Sequence, residues 1–195
     1  RAARFKLRCA DQVVMKISLR MVLVALVALV AIGGLISTIP SGQQSTKELS
    51  KFESHQGQCN NENGVSLVID FGISSKREPQ SVCVKDFKGT GWQLFAAANI
   101  SVAGTDEFPT GFVCRIADWP STSVQPCTST PTAAQGTWAY FVASADTGPN
   151  WLFSGQGAAM HKPKCGAVEG WRFVEPGEVG SQSLPRLAPA TFGCH

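Results

Sequence analysis

One uncharged apolar run divides this chain. Met21 to Ile39 (MVLVALVALVAIGGLISTI) carries no charge, and of the seven cysteines only Cys9 precedes it. Cysteines gathered on the far side of such a run are the pattern of an exported domain held by disulfides. The run follows a leader, residues 1–20, in which Arg1, Arg4, Lys6, Arg8, Lys16 and Arg20 face Asp11 alone. The excess of basic residues keeps that side in the cytoplasm and sends the cysteines out. From Met15 the layout is that of a secretory signal, and Met15 or Met21 is a candidate start. No A-x-A site follows the run, so residues 21–39 are read as an anchor slightly in preference to a cleaved signal peptide. The length is borderline for a bilayer, which needs about 17–25 residues.

The net charge of +3 sits in the leader, so the remainder is mildly acidic to neutral and has no Lys/Arg stripe. A nucleic-acid partner is not expected. Residues 40–58 are polar, lack apolar periodicity and read as a tether; the domain is expected over 59–174, followed by a loose Pro/Gly-rich tail, 175–195. Val65, Leu67, Ile69 and Phe71 alternate with Ser66, Val68 and Asp70, predicting a strand with one buried face. Val82 to Phe87 is a second strand, placed to form a hairpin with the first. Thr90 and Gln93 have capping-box spacing before WQLFAAANI, which predicts a short helix with Trp92, Phe95 and Ala96 on one face and Asn99 closing it. Strands follow at 111–116, 137–143, 151–153 and 168–174. In the clearest of them Trp138, Tyr140 and Val142 share one side and Ala139, Phe141 and Ala143 the other. One helix against a mixed sheet is an α+β architecture.

The six cysteines after the run allow many connectivities, and sequence does not choose among them. Chain proximity ranks Cys59–Cys83, Cys114–Cys127 and Cys165–Cys194 first. There is no C-x-x-C pair, and His55, His161 and His195 lack ligand spacing, so no metal is expected. Asp70, Asp86, Asp118 and Glu169 show no catalytic pairing, and Ser154–Gly157 is neither a nucleophile elbow nor a dinucleotide fingerprint. The expectation is a protein that is not an enzyme and needs no cofactor. Trp138 reads as core. Trp119, in the loop between cysteines, Tyr140 and Trp151, at a strand start, are candidates for a flat apolar contact surface. Arg172 is a candidate grip on an anionic group, weighed against a plain solvated charge, the reading also given to Arg115; His161 reads as a surface residue.

Taken in order, NGVSLVIDFG, GWQLFAAANI, FPTGFVCRI, TWAYFVA, NWLFSGQGA and PKCGAVEGWRF resemble exported modules of high-GC Gram-positive bacteria related to the transcobalamin-like C-terminal domain family. The resemblance covers residues 59–174, and its most specific pieces are Gly111–Ile116 and Gly166–Phe173. It implies a β-grasp-like fold and a non-enzymatic, extracytoplasmic module, tethered or secreted, that captures or presents a vitamin, with a corrinoid as the implied ligand. It also implies a vitamin-uptake transporter or a helical protein as partner, besides the membrane reached through the N-terminal segment. Cys165 and Cys194 depart from the family pattern and suggest one added bridge. An adhesive cell-envelope module that binds protein or glycan is the alternative.

Overall fold

The computed structural model describes residues 52–194. The leader, the apolar run, Cys9, the tether up to residue 51 and His195 lie outside the described residues.

The strands are β1 (Ser54–Gln56), β2 (Gly64–Asp70), β3 (Gln80–Lys85), β4 (Val102–Gly104), β5 (Val113–Ile116), β6 (Thr137–Ala143), β7 (Leu152–Phe153) and β8 (Val168–Val174), with α1 (Gly91–Ala97) between β3 and β4. Six strands form one mixed sheet in the order β1-β3-β2-β8-β6-β7, and β4 and β5 form a second small sheet. β2 and β3 make the expected antiparallel hairpin, and β2 runs parallel to β8. The molecule is thus a mixed sheet with one short helix and three disulfides.

The helix forms where its caps are written. Thr90 Oγ1 accepts from the Gln93 backbone N–H and the Gln93 side chain accepts from the Thr90 backbone N–H, a complete capping box. At the other end Asn99 takes φ 56°, its N–H bonds Ala96 O, and the Ile100 N–H bonds Phe95 O, a Schellman stop. The buried side is Gly91, Leu94, Phe95 and Ala97; Trp92 is half-buried and Ala96 is exposed, so the apolar face is rotated from the expected one.

Both faces of the sheet are buried. On the helix side Val65, Leu67, Ile69 and Phe71 of the β2 segment pack with Trp138, Tyr140, Trp171, Phe173 and α1. On the opposite side Val68, Phe141, Trp151, Val168 and Val174 form a second cluster, with Leu187 packed against it. The expected solvent face of β2 is therefore covered, and residues 175–194 do part of the covering. This segment, expected to be loose, is fastened at several points. Arg186 binds Asp70, Trp151 Nε1 donates to Leu187 O at 3.0 Å, Gln58 pairs with the backbone of Ala188 and Ala190, and Cys194 is joined to Cys165. The ordered domain also starts before residue 59, because β1 adds to the hairpin edge through Ser54↔Val84 and Gln56↔Val82.

The disulfides are Cys59–Cys83, Cys114–Cys127 and Cys165–Cys194, the pairs that chain proximity ranks first. The first ties the chain ahead of β2 to β3, and the second closes the Pro-rich loop after β5. Three such bonds fit an oxidising compartment. Among the described residues no helix is long and apolar enough to cross a membrane.

Candidate functional site

The antiparallel pairing of β6 and β8 sets Tyr140 opposite Trp171 and Val142 opposite Glu169. Tyr140 and Glu169 are therefore diagonal neighbours on the helix side of the sheet, close enough for a long side chain to bridge. The Tyr140 hydroxyl donates to Glu169 Oε2, and its ring stacks on Trp171 with centroids 4.6 Å apart and planes 17° from parallel. Glu169 is wholly buried. His161 arrives from the loop before β8 with Nε2 3.4 Å from Glu169 Oε1, yet that oxygen accepts no hydrogen bond among the described residues. Gly91 at the start of α1 makes room: a Cβ there would lie 2.7 Å from the Tyr140 hydroxyl and 2.8 Å from Glu169 Oε2.

Burial first, and then the Glu169 charge and hydrogen bond, push the Tyr140 hydroxyl far above the usual phenol range. It is a hydrogen-bond donor at every working pH. Glu169, in charge contact with the imidazole, raises His161 above its ordinary value against the opposing effect of partial burial. The cluster is a carboxylate held by one neutral donor and one ionisable imidazole.

Beside it lies a cleft of about 260 Å³, lined among others by Trp92, Trp138, Tyr140, Trp171, Phe153 and the segment Ser154 to Ala158. Trp138 and Trp171 are almost wholly buried, and their indole N–H groups have no acceptor among the described residues. Unpaired buried donors are rare because each forfeits its hydration. The cleft is thus walled by aromatic residues, two of which carry unpaired indole N–H groups buried away from solvent.

The predicted contact residues are not brought together. Tyr140 lines the cleft. Trp119 is half-buried at the margin of the same core, edge-on to Phe173 with centroids 6.0 Å apart, instead of standing out in its loop. Trp151 lies on the opposite face of the sheet, packed over Gly170 and bonded through Nε1 to Leu187 O. The flat surface expected of the three does not form, because strand parity and the Pro-rich loop send them to different layers. Arg172 is neither solvated nor open to a ligand. It is 4% exposed and reaches Asp70 Oδ1 and Glu178 Oε1, each at 3.3 Å. Asp70 is also held by the Arg186 backbone N–H at 2.8 Å and by its guanidinium at 2.8 Å. Burial alone would raise the Asp70 carboxyl; the Arg186 hydrogen bonds and the Arg172 charge outweigh it and hold the group below its ordinary range. Arg115 is likewise engaged, donating through Nε to Pro120 O at 2.7 Å and also to Gln125 O.

The sequence reading set Glu169 aside as an unpaired carboxylate and took His161 for a surface residue, and did not bring the two together. The signal for Glu169 was its parity with Trp171 and Phe173 in VEGWRFV, which places a carboxylate on a buried face. His161 carried no comparable signal, since it comes from a loop. Potential metal ligands meet at His55, Glu62 and Cys83, but the Cys83 sulfur is committed to its disulfide.

No protein-family model matches this chain, and no curated protein or solved structure matches it.

Proposed function

We propose that this is a non-enzymatic, extracytoplasmic binding module of β-grasp type, and that the aromatic cleft beside α1 receives a ring-bearing ligand. The observation that carries the reading is the gathering of Trp92, Phe112, Trp138, Tyr140, Phe153 and Trp171 around that cleft. Trp92, half-buried, and Phe153, about half exposed, are the more accessible rings on which a planar group would stack.

The β-grasp reading is supported by the hairpin β2–β3, the helix that follows it, and the late strand β8 lying parallel beside β2. Export is supported by the disulfides and by the apolar run after a basic leader, which would hold the module at the membrane. In this reading the module captures or presents a vitamin for an uptake transporter or a helical partner. A whole corrinoid is larger than the cleft, so a corrinoid would enter by an edge or side group and leave the remainder to the partner.

The test is a titration of the oxidised full chain with cyanocobalamin and with nicotinamide, a single ring bearing an amide oxygen, followed by intrinsic Trp fluorescence and calorimetry. Saturable binding that weakens in Trp92→Ala is the expected result. Absence of saturation with a folded protein overturns the cleft reading. It would favour the second reading, an adhesive envelope module, whose own support is the short edge strand β7 with Leu152 and Phe153 about half exposed.

A further inference from the structure

The three disulfides differ in their surroundings. Cys59, Cys83, Cys114 and Cys127 are buried, none more than 6% exposed, whereas Cys165 and Cys194 are both exposed. Thiol–disulfide exchange needs an attacking thiolate to reach a sulfur from outside, so burial protects the first two bridges until the domain opens. The third stands at the surface, where both of its cysteines line a cavity with Asp86 and Lys88. Its two sulfurs are not equivalent. Cys165 also lines a neighbouring cavity with Lys88, Lys162 and Lys164 and with no carboxylate among the described residues. Lys164 adjoins Cys165 in the chain, and all three lysines are exposed. Among the described residues Lys85 is the one lysine paired with a carboxylate, so the charges of these three are not cancelled in pairs. Asp146 meets Lys162 and Lys164 in a further cavity, away from Cys165. Cations beside a sulfur favour its thiolate, and the more stable thiolate is the better leaving group. Cys194 has beside it Lys88 offset by Asp86.

We propose that Cys165–Cys194 is an exchangeable disulfide at which the chain takes up a low-molecular-weight thiol, the thiol joining Cys194 and Cys165 leaving as the thiolate. The incoming thiolate sulfur bonds Cys194 Sγ through its own electron pair, while the Sγ–Sγ bond breaks and its pair stays on Cys165. A second equivalent of the thiol completes the two-electron reduction, freeing Cys194 and departing with the first as their own disulfide. Exchange releases the end of the described chain, where the Phe192 N–H bonds Gly166 O at 3.3 Å. The Arg186 bond to Asp70, the Trp151 bond to Leu187 and the Gln58 contacts are untouched, so the fold is retained. The site is separate from the aromatic cleft and does not depend on the reading given to it.

Glutathione added to the oxidised full chain tests the assignment, with Cys9→Ser in the background to keep that sulfur out of the exchange. Freed thiols are blocked with N-ethylmaleimide at successive times, and each cysteine is mapped by peptide mass. Glutathione appears on Cys194 and maleimide on Cys165, while the other two bridges stay closed at least about tenfold longer, until the domain opens. Replacing Lys88 and Lys164 together by Ala slows the exchange about threefold and evens the adduct between the two cysteines. High salt does the same to the parent. The proposal is overturned if folded protein in excess glutathione forms no adduct, or if either buried bridge opens as fast. It is equally overturned if the adduct falls on Cys165 as often as on Cys194, or if the lysine pair changes neither rate nor position. Both lysines are exposed, so their replacement leaves a folded protein to measure.

Discussion

Tyr140 on β6 and Glu169 on β8 are joined by a hydroxyl-to-carboxylate hydrogen bond across a diagonal of the antiparallel register, with neither side chain open to solvent.

Tyr140→Phe keeps the stacked ring but leaves Glu169 Oε2 without its donor. The loss expected is about 1–3 kcal/mol in urea unfolding. Glu169→Gln retains an acceptor for the hydroxyl and should cost less. A double-mutant cycle should then show positive coupling between the two positions. Additive effects would mean that the bond is energetically idle.

The pH dependence has two edges of opposite sign. His161 has a raised value in the folded state, so its contribution is fully present below the ordinary value of 6.5 and is lost as pH rises through the raised one. Asp70 has a lowered value, so its contribution is present above the ordinary 3.8 and is lost as pH falls through the folded value. Stability should peak between those edges. His161→Gln should flatten the alkaline edge only. His55, raised first by its backbone hydrogen bond to Gln56 and next by Glu62, titrates on the same side, so His55→Gln is the control that separates the two. An unchanged alkaline edge in His161→Gln refutes the assignment.

Asp70→Ala leaves the buried Arg172 with Glu178 as its remaining partner. Removing one partner of a buried pair costs about 3–5 kcal/mol. The same change frees Arg186, so limited proteolysis should cut sooner within 175–194 than in the parent. Slow cleavage of that segment in the variant would show that Asp70 is not its main fastening.

Replacing Cys165 and Cys194 together by Ser opens a loop with a sequence separation of 29. The chain-entropy model gives about 3–4 kcal/mol for a closure of this size. Thermal unfolding with and without reductant should converge for this variant only as far as the other two bridges allow.

Gly170→Ala tests packing on the far face of the sheet. A Cβ there would come within 2.5 Å of the Trp151 ring. Displacing a ring already bonded to Leu187 O should cost about 1–3 kcal/mol, typical of overpacking, with a shift in Trp emission. A neutral result would mean that Trp151 has room to move.

What the sequence discloses follows from what local pattern can encode. The capping box at Thr90 and Gln93, the stop at Asn99, the β2–β3 hairpin and the two-sided alternation of residues 137–143 are nearest-neighbour properties, and each is visible as such. β1 escaped notice because Ser54, His55 and Gln56 have no alternation; they join the sheet by backbone pairing alone. Arg172 was misjudged because parity assigns a side of the sheet but not what covers it. The cover comes from Arg186 and Leu187, in a segment whose composition reads as loose. The site failed for the same reason: parity could mark Glu169, but its partners Tyr140 and His161 come from another strand and a loop.

The placement of β8 also constrains the order in which the chain can take shape as it is made. β8 fills the position between β2 and β6, and the segment after it supplies the cation for Asp70 and the sulfur for Cys165. A growing polypeptide that has emerged only as far as residue 167 holds two half-sheets with nothing between them. Its hairpin waits for a neighbour synthesised roughly a hundred residues after β2. The sheet therefore cannot be completed until β8 has been made.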